Sequence, residues 1–117
     1  MPFINVHIGK PVSEEQKTEV MKKIAASMPL IPGKTADNTM IEISAGRDMY
    51  MGLEKQPLIF VDMRVNGPSP LESKDHFVQT LSKIFDETLG IPENKQYYNI
   101  AEMPGWGARG GYRDFQG

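Results

Sequence analysis

The sequence predicts an α+β sandwich: a four-stranded mixed sheet with two helices on one face and a C-terminal hairpin. Three observations carry this. Strand-like and helix-like patterns alternate in the order strand, helix, strand, strand, helix, strand. The first three elements read as a βαβ unit that is then repeated. A glycine-rich tail follows the last strand. The chain has 117 residues, the size of a single domain. It divides into halves of about 2–55 and 56–103 and a tail at 104–117.

Pro2 to Ile8 opens the first unit. Ile4, Val6 and Ile8 alternate with Asn5 and His7, the period of a strand with one buried face. Gly9-Lys10-Pro11 ends it. Ser13-Glu14-Glu15-Gln16 is a capping-box pattern. Val20, Met21, Ile24, Ala25 and Met28 behind it keep helical spacing for about four turns, until Pro29 and Pro32 stop the helix. Gly33-Lys34 lies in the following loop. Met40 to Ser44 is the second strand, and Gly46 to Lys55 is a connection with a turn at Gly46-Arg47-Asp48.

The second unit starts with Pro57 to Val65, the strongest strand pattern in the chain. Ile59, Val61, Met63 and Val65 share one face; Phe60, Asp62 and Arg64 share the other. Ser69-Pro70-Leu71-Glu72 predicts a second capping box with Pro70 at the first helical position. Phe77, Val78, Leu81, Ile84, Phe85 and Leu89 form the stripe of the second helix, and Gly90 stands at its C-terminal cap. A strand at Tyr97 to Met103 closes the unit.

The halves match in detail. PFINVHI returns as PLIFVDM about 55 residues later, Ser13-x-x-Gln16 as Ser69-x-x-Glu72, and Ile31-Pro32 as Ile91-Pro92. Two βαβ units place both helices on one sheet face and leave Phe3, Phe60 and polar groups on the other, a candidate partner surface. A ferredoxin-like domain has the same element order; the repeat favours the duplicated unit.

Composition excludes several functions. Hydrophobic residues make 39% and charged residues 24%, which is ordinary for a folded protein. With no cysteine there is no disulfide, thiol catalyst or cysteine metal cluster, and two histidines are too few for a histidine-rich metal site. A net charge of −2 gives no global reason to expect nucleic acid. No apolar run spans a membrane and no signal peptide is visible, so a cytoplasmic protein is expected.

Candidate chemistry starts at Pro2. Methionine before proline is normally removed, which leaves a secondary amine as a general base or nucleophile. Here that amine would open directly into a core strand. Arg64 and Asp62 read either as an ion pair at a subunit interface or as an arginine for a carboxylate substrate. Lys34 is a loop lysine. Tyr97 and Asn99 share one face of the last strand and either line a pocket or pack. The run Gly105-Trp106-Gly107-Ala108-Arg109-Gly110 has the spacing of a dinucleotide loop but lacks the helix that motif requires. With Tyr112 and Phe115 it reads as a docking hairpin. Arg109 and Arg113 make too small a basic patch for nucleic acid.

Together, Met1-Pro2, the repeated unit, Gly33-Lys34, Tyr97-x-Asn99, Glu102-Met103-Pro104 and the Trp106-Gly107 tail resemble the tautomerase superfamily over essentially the whole chain. That group includes 4-oxalocrotonate tautomerase, macrophage migration inhibitory factor, malonate semialdehyde decarboxylase and cis-3-chloroacrylic acid dehalogenase. The resemblance implies a homotrimer with sites at subunit interfaces and no cofactor. It implies that Pro2 moves a proton between carbon and oxygen of a 2-keto acid or dienol carboxylate. Lys34, Arg64 or Arg109 would bind the acid, Tyr97 and Asn99 would reach in from a neighbouring subunit, and Trp106 would form a lid. The chain departs from the dehalogenase and decarboxylase members just after the central strand, where they carry arginines and this chain has Asn66 and Ser69. Decarboxylase- or hydratase-like chemistry and a non-enzymatic, cytokine-like binding role are the alternatives.

Overall fold

The computed structural model describes residues 1–114. Its main sheet contains β1 (Phe3–Ile8), β2 (Met40–Ser44), β5 (Ile59–Asn66) and β6 (Gln96–Met103) in the order β2-β1-β5-β6. β1 runs parallel to β2 from Phe3↔Met40 to His7↔Ser44, and β5 runs parallel to β6 from Ile59↔Gln96 to Asn66↔Met103. The two pairs join antiparallel along β1 and β5, with Phe3 opposite Arg64 and Ile8 opposite Ile59. Each helix thus crosses between adjacent parallel strands. A ferredoxin-like sheet does not pair its strands this way, so the duplicated-unit expectation holds.

Two helices, α1 (Glu14–Ser27) and α2 (Leu71–Leu89), supply the other layer. Ile4, Val6 and Ile8 from β1 and Ile59, Val61, Met63 and Val65 from β5 are at most 1% exposed and meet Val20, Ile24, Phe77, Leu81 and Phe85. Each such side chain contributes roughly 1.5–3 kcal/mol of burial. Ile31 and Ile91, at matching positions of the repeat, are both buried. Met21 and Val78, expected in the apolar stripes, lie at their margins; Met21 is exposed.

Ser13 caps α1 as expected: its Oγ accepts from Gln16 N–H, and Gln16 Oε1 accepts from Ser13 N–H. The second capping box does not form. Pro70 is the N-cap and offers no side-chain acceptor, and α2 begins one residue later than predicted. The Ser69 N–H instead donates to the Glu102 carboxylate near the end of β6. An acceptor from a neighbouring strand has replaced the local one. Gly90 ends α2 in the left-handed conformation, φ 68°.

The stretch predicted as a plain connection contains a small hairpin, β3 (Tyr50–Met51) and β4 (Glu54–Lys55). Gly52 and Leu53, both at positive φ, form its turn. The predicted tail hairpin is present as β7 (Gly105–Ala108) and β8 (Gly111–Asp114), turning through Arg109 at φ 53° and Gly110 at φ 81°. Phe115 lies outside the described residues. Among those residues, no helix is long and apolar enough to cross a membrane.

Candidate active site

Pro2 is buried at the start of β1, and its carbonyl accepts from Met40 N–H at 3.0 Å, tying the chain's first turn of backbone to β2. Beside it, the Met1 ammonium donates to Asn66 Oδ1 at 2.6 Å. Lys34 Nζ donates to the same oxygen at 3.0 Å and to the Asn66 carbonyl at 3.1 Å. Three sequence-distant segments therefore meet: the N-terminus, the loop after α1, and the end of β5.

A cavity of about 420 Å³ opens at this junction. Met1 and Asn66 form one wall. Trp106, Arg109, Tyr112 and Arg113 of the tail hairpin form the other, and Asn38 from the turn before β2 contributes an edge. Trp106 and Arg113 sit opposite each other in the β7–β8 register, so an indole and a guanidinium share one surface. The cavity combines cations with aromatic area, which suits a small organic anion.

Two cations at the junction are mutually unfavourable. The Met1 ammonium is held below its usual value by burial and then by the Lys34 charge, and Lys34 is itself lowered by burial. An amine at this position is thereby biased toward its neutral, basic form.

The remaining predicted residues divide. Arg109 and Trp106 reach the cavity; Lys34 touches it through Asn66. Arg64 is exposed on the helix-free face, opposite Phe3 and Ala101. No ion pair joins it to Asp62 among the described residues. Tyr97 and Asn99 are on that same face but farther along β6, level with Phe60 and Asp62. Tyr97 is about 13 Å along the strand from Ala101, so one chain does not bring it to Pro2. Tyr97 Oη instead donates to Met51 Sδ at 3.4 Å, in a separate apolar groove under the β3–β4 hairpin.

Sequence reasoning missed Asn66, Tyr112 and Arg113 as cavity residues. The sequence marks Asn66 only as a place where related enzymes carry an arginine, and Asn66-Gly67-Pro68 is a turn signal whatever the asparagine side chain does. The alternation of β7 and β8 places Trp106 and Arg113 together, but that register is visible only once the Arg109-Gly110 turn is known.

Comparison with known proteins agrees with this architecture. The family model for macrophage migration inhibitory factor matches residues 1–111. No protein among those of curated function matches the sequence. Among solved structures, MIF2 of Leishmania major superposes with a TM-score of 0.87 at 15% identity, over 97% of each chain. Pt0534, a protein inactivated by 2-oxo-3-pentynoate, gives 0.84 at 18% identity over 97% of this chain and 96% of that one. A fused 4-OT in its wild-type asymmetric trimer gives 0.83 at 17% identity, with the same coverage. At these identities the structural likeness shows the fold, and the family match shows the kinship. The chain belongs to the macrophage migration inhibitory factor family, within the tautomerase superfamily.

Proposed function

We propose that the protein is a cofactor-independent tautomerase that interconverts the keto and enol forms of a small 2-keto acid or dienol carboxylate. The observation that carries this reading is the cavity itself: the N-terminal segment, Asn66 and two hairpin arginines converge on one 420 Å³ space. The base is the Pro2 amine, exposed by removal of Met1. While Met1 is attached, the Pro2 nitrogen is an amide and has no basicity. Once freed, an α-amino group titrates near 8 in water, and burial beside Lys34 favours its neutral form.

The reaction needs little else. The amine removes the enol hydroxyl proton, the electron pair moves to form the carbonyl, and the resulting ammonium returns the proton to the carbon next to it. In reverse, C–H is broken and O–H is made. Negative charge on the enolate oxygen would be stabilised by a cation: Lys34 or Arg109 at this junction, or Arg64 from the helix-free face of a neighbouring subunit. Trp106 supplies apolar cover.

We infer a homotrimer as the working form. The helix-free sheet face leaves Phe60 38% and Tyr97 41% exposed, and a trimer would cover it. Tyr97 and Asn99 lie far from Pro2 in one chain, which fits a role in a neighbour's site. The trimeric 4-OT neighbour supports this reading. Light scattering tests it; a stable monomer with full activity overturns the shared site.

The decisive experiment follows phenylpyruvate enol–keto exchange by ultraviolet absorbance for the processed protein and for Pro2→Ala. Incubation with 2-oxo-3-pentynoate, which inactivates Pt0534, then tests whether Pro2 becomes labelled by peptide mass spectrometry. Activity in the parent and its loss in the variant support the assignment; equal rates overturn the role of Pro2. Absence of activity on phenylpyruvate and on 2-hydroxymuconate sinks the tautomerase reading. The non-enzymatic binding role rests on one specific contact, the Met1 ammonium on Asn66. If mass spectrometry shows Met1 retained, that ammonium fills the place of the base and the binding role takes precedence.

A further inference from the structure

We propose that Asn66 is the residue that meets the ligand's carboxylate, and that Lys34 acts on the ligand chiefly by holding Asn66 in place. This builds on the reading of the cavity as an organic-acid site and adds a residue and an orientation to it.

An asparagine side chain has one acceptor end and one donor end. Both groups that approach Asn66 are ammonium ions: Met1 N at 2.6 Å and Lys34 Nζ at 3.0 Å. Ammonium groups only donate. The amide oxygen must therefore face them, and the Nδ2 end must point away. Removal of Met1 leaves Lys34 to keep this orientation alone, because the reversed amide would aim N–H at its ammonium.

Lys34 strengthens the lock by also donating to the Asn66 backbone carbonyl at 3.1 Å. It thus bridges the main chain and side chain of one residue. Two of its three N–H groups are engaged this way, and Lys34 does not line the cavity. Asn66 does. Among the described residues, Asn66 Nδ2 donates to no protein acceptor. Asn66 therefore offers an oriented, unused pair of N–H donors from a residue that lines a cation-rich cavity, backed by a lysine charge that polarises the amide. Such a donor suits a carboxylate oxygen.

The position is also structurally defined. Asn66 is the last residue of β5, paired with Met103, and Gly67 N–H donates to the Met103 carbonyl at 3.1 Å. Its backbone is held by the sheet, so the side chain starts from a rigid anchor.

The test measures binding of phenylpropionate, a carboxylate that has no keto group to enolise, by NMR titration of the Met1-processed protein. Three proteins are compared: the parent, Asn66→Asp and Asn66→Leu. Asp keeps an acceptor for Lys34 and nearly the same shape, but it removes the N–H donors and adds a negative charge. The expected result is about tenfold weaker binding for Asn66→Leu, the scale of one hydrogen bond to a charged group, and a larger loss for Asn66→Asp. Thermal unfolding of Asn66→Asp should match the parent, so a purely structural role would leave its affinity intact. Parent-like affinity in Asn66→Asp overturns the proposal, as does a parent that binds no carboxylate. Phenylpyruvate exchange run on the same parent sample separates the two readings. Asn66-dependent binding with no exchange leaves this site standing and removes the tautomerase function.

Discussion

The Glu102 carboxylate joins the end of β6 to the start of α2: one oxygen accepts from Ser69 N–H and the other from Lys74 Nζ at 3.0 Å. It does the work predicted for the Glu72 carboxylate, which in a capping box accepts from the N–H of the capping serine. An anion here also faces the positive end of the helix dipole. Glu102→Gln should therefore destabilise the fold by about 0.5–1 kcal/mol in denaturant unfolding at pH 7. Glu102 is held below the usual glutamate value of 4.5, first by the Lys74 hydrogen bond and then by Ser69 N–H. A carboxylate lowered in the folded state stabilises above its unfolded pKa and loses that contribution as pH falls through the folded one. The parent should lose stability on acidification below about 4.5 more steeply than Glu102→Gln. Parallel acid limbs would contradict the assignment.

Ser13 and Ser69 show why part of the fold was legible and part was not. Both carry the same local signal, S-x-x-[E/Q], and both precede helices. Only at Ser13 does the local acceptor win. At Ser69, Pro70 takes the cap position, and a carboxylate 33 residues away in sequence takes the N–H. Period and punctuation are local, so the strands, helices and repeat could be read. A substitution of one acceptor by another across the sheet is not local. The site divides the same way. Pro2, Trp106 and Arg109 carry recognisable local context, whereas Asn66 gains its role from Lys34, which approaches from a different unit of the repeat. Tyr97 and Asn99 have the spacing expected, yet one chain separates them from Pro2.

Gly9 and Gly105 are both crowded, but they should respond differently to alanine. A Cβ on Gly9 would lie 2.8 Å from the Gln56 carbonyl oxygen and 3.0 Å from Leu58 N. Both are backbone atoms, and Gly9 N–H donates to Leu58 O at 2.8 Å. Relief requires parting the chain where β1 leaves the sheet. Gly9→Ala should cost about 1–3 kcal/mol. A Cβ on Gly105 would meet the Tyr112 phenol, which is 77% exposed and free to rotate outward. Gly105→Ala should leave stability within about 0.5 kcal/mol of the parent. It should nevertheless alter ligand affinity, because Tyr112 lines the cavity. Paired denaturant curves and phenylpropionate titrations test both statements; a large stability loss at Gly105 would show that the ring is fixed.

In the chain that retains Met1, the terminal ammonium should titrate below its ordinary value of 8.0, because burial and the Lys34 charge disfavour it. Its folded pKa is lower than its unfolded one, so within that window the unfolded chain binds more protons. Stability therefore rises with pH as the group passes from its lowered value toward 8.0. Lys34→Met removes one of the two causes and should move the amine's titration upward. NMR titration of the amine in Met1-retaining protein reads this directly. No upward movement in Lys34→Met would show that burial alone sets the value. After processing, the same reasoning applies to the acid limb of the pH–rate profile, which should shift upward in Lys34→Met.

Arg109 occupies the first turn position between β7 and β8 with φ 53°, a conformation that disfavours most side chains by roughly 1 kcal/mol. Gly110 follows at φ 81°, so the pair forms the two-residue turn for which Asn-Gly is the favoured sequence. An arginine here is locally costly, yet it places a guanidinium on the cavity wall. Arg109→Asn should therefore separate stability from binding. The hairpin should become more stable by several tenths to about 1 kcal/mol, seen as slower amide exchange across Trp106–Arg113. Carboxylate affinity should fall, because an anion in the cavity loses one of its cations. If the variant weakens the hairpin, the strain argument is wrong. If it binds phenylpropionate as tightly as the parent, Arg109 faces the cavity without serving the ligand, and the acid group is held by the β5 side of the site, at Asn66.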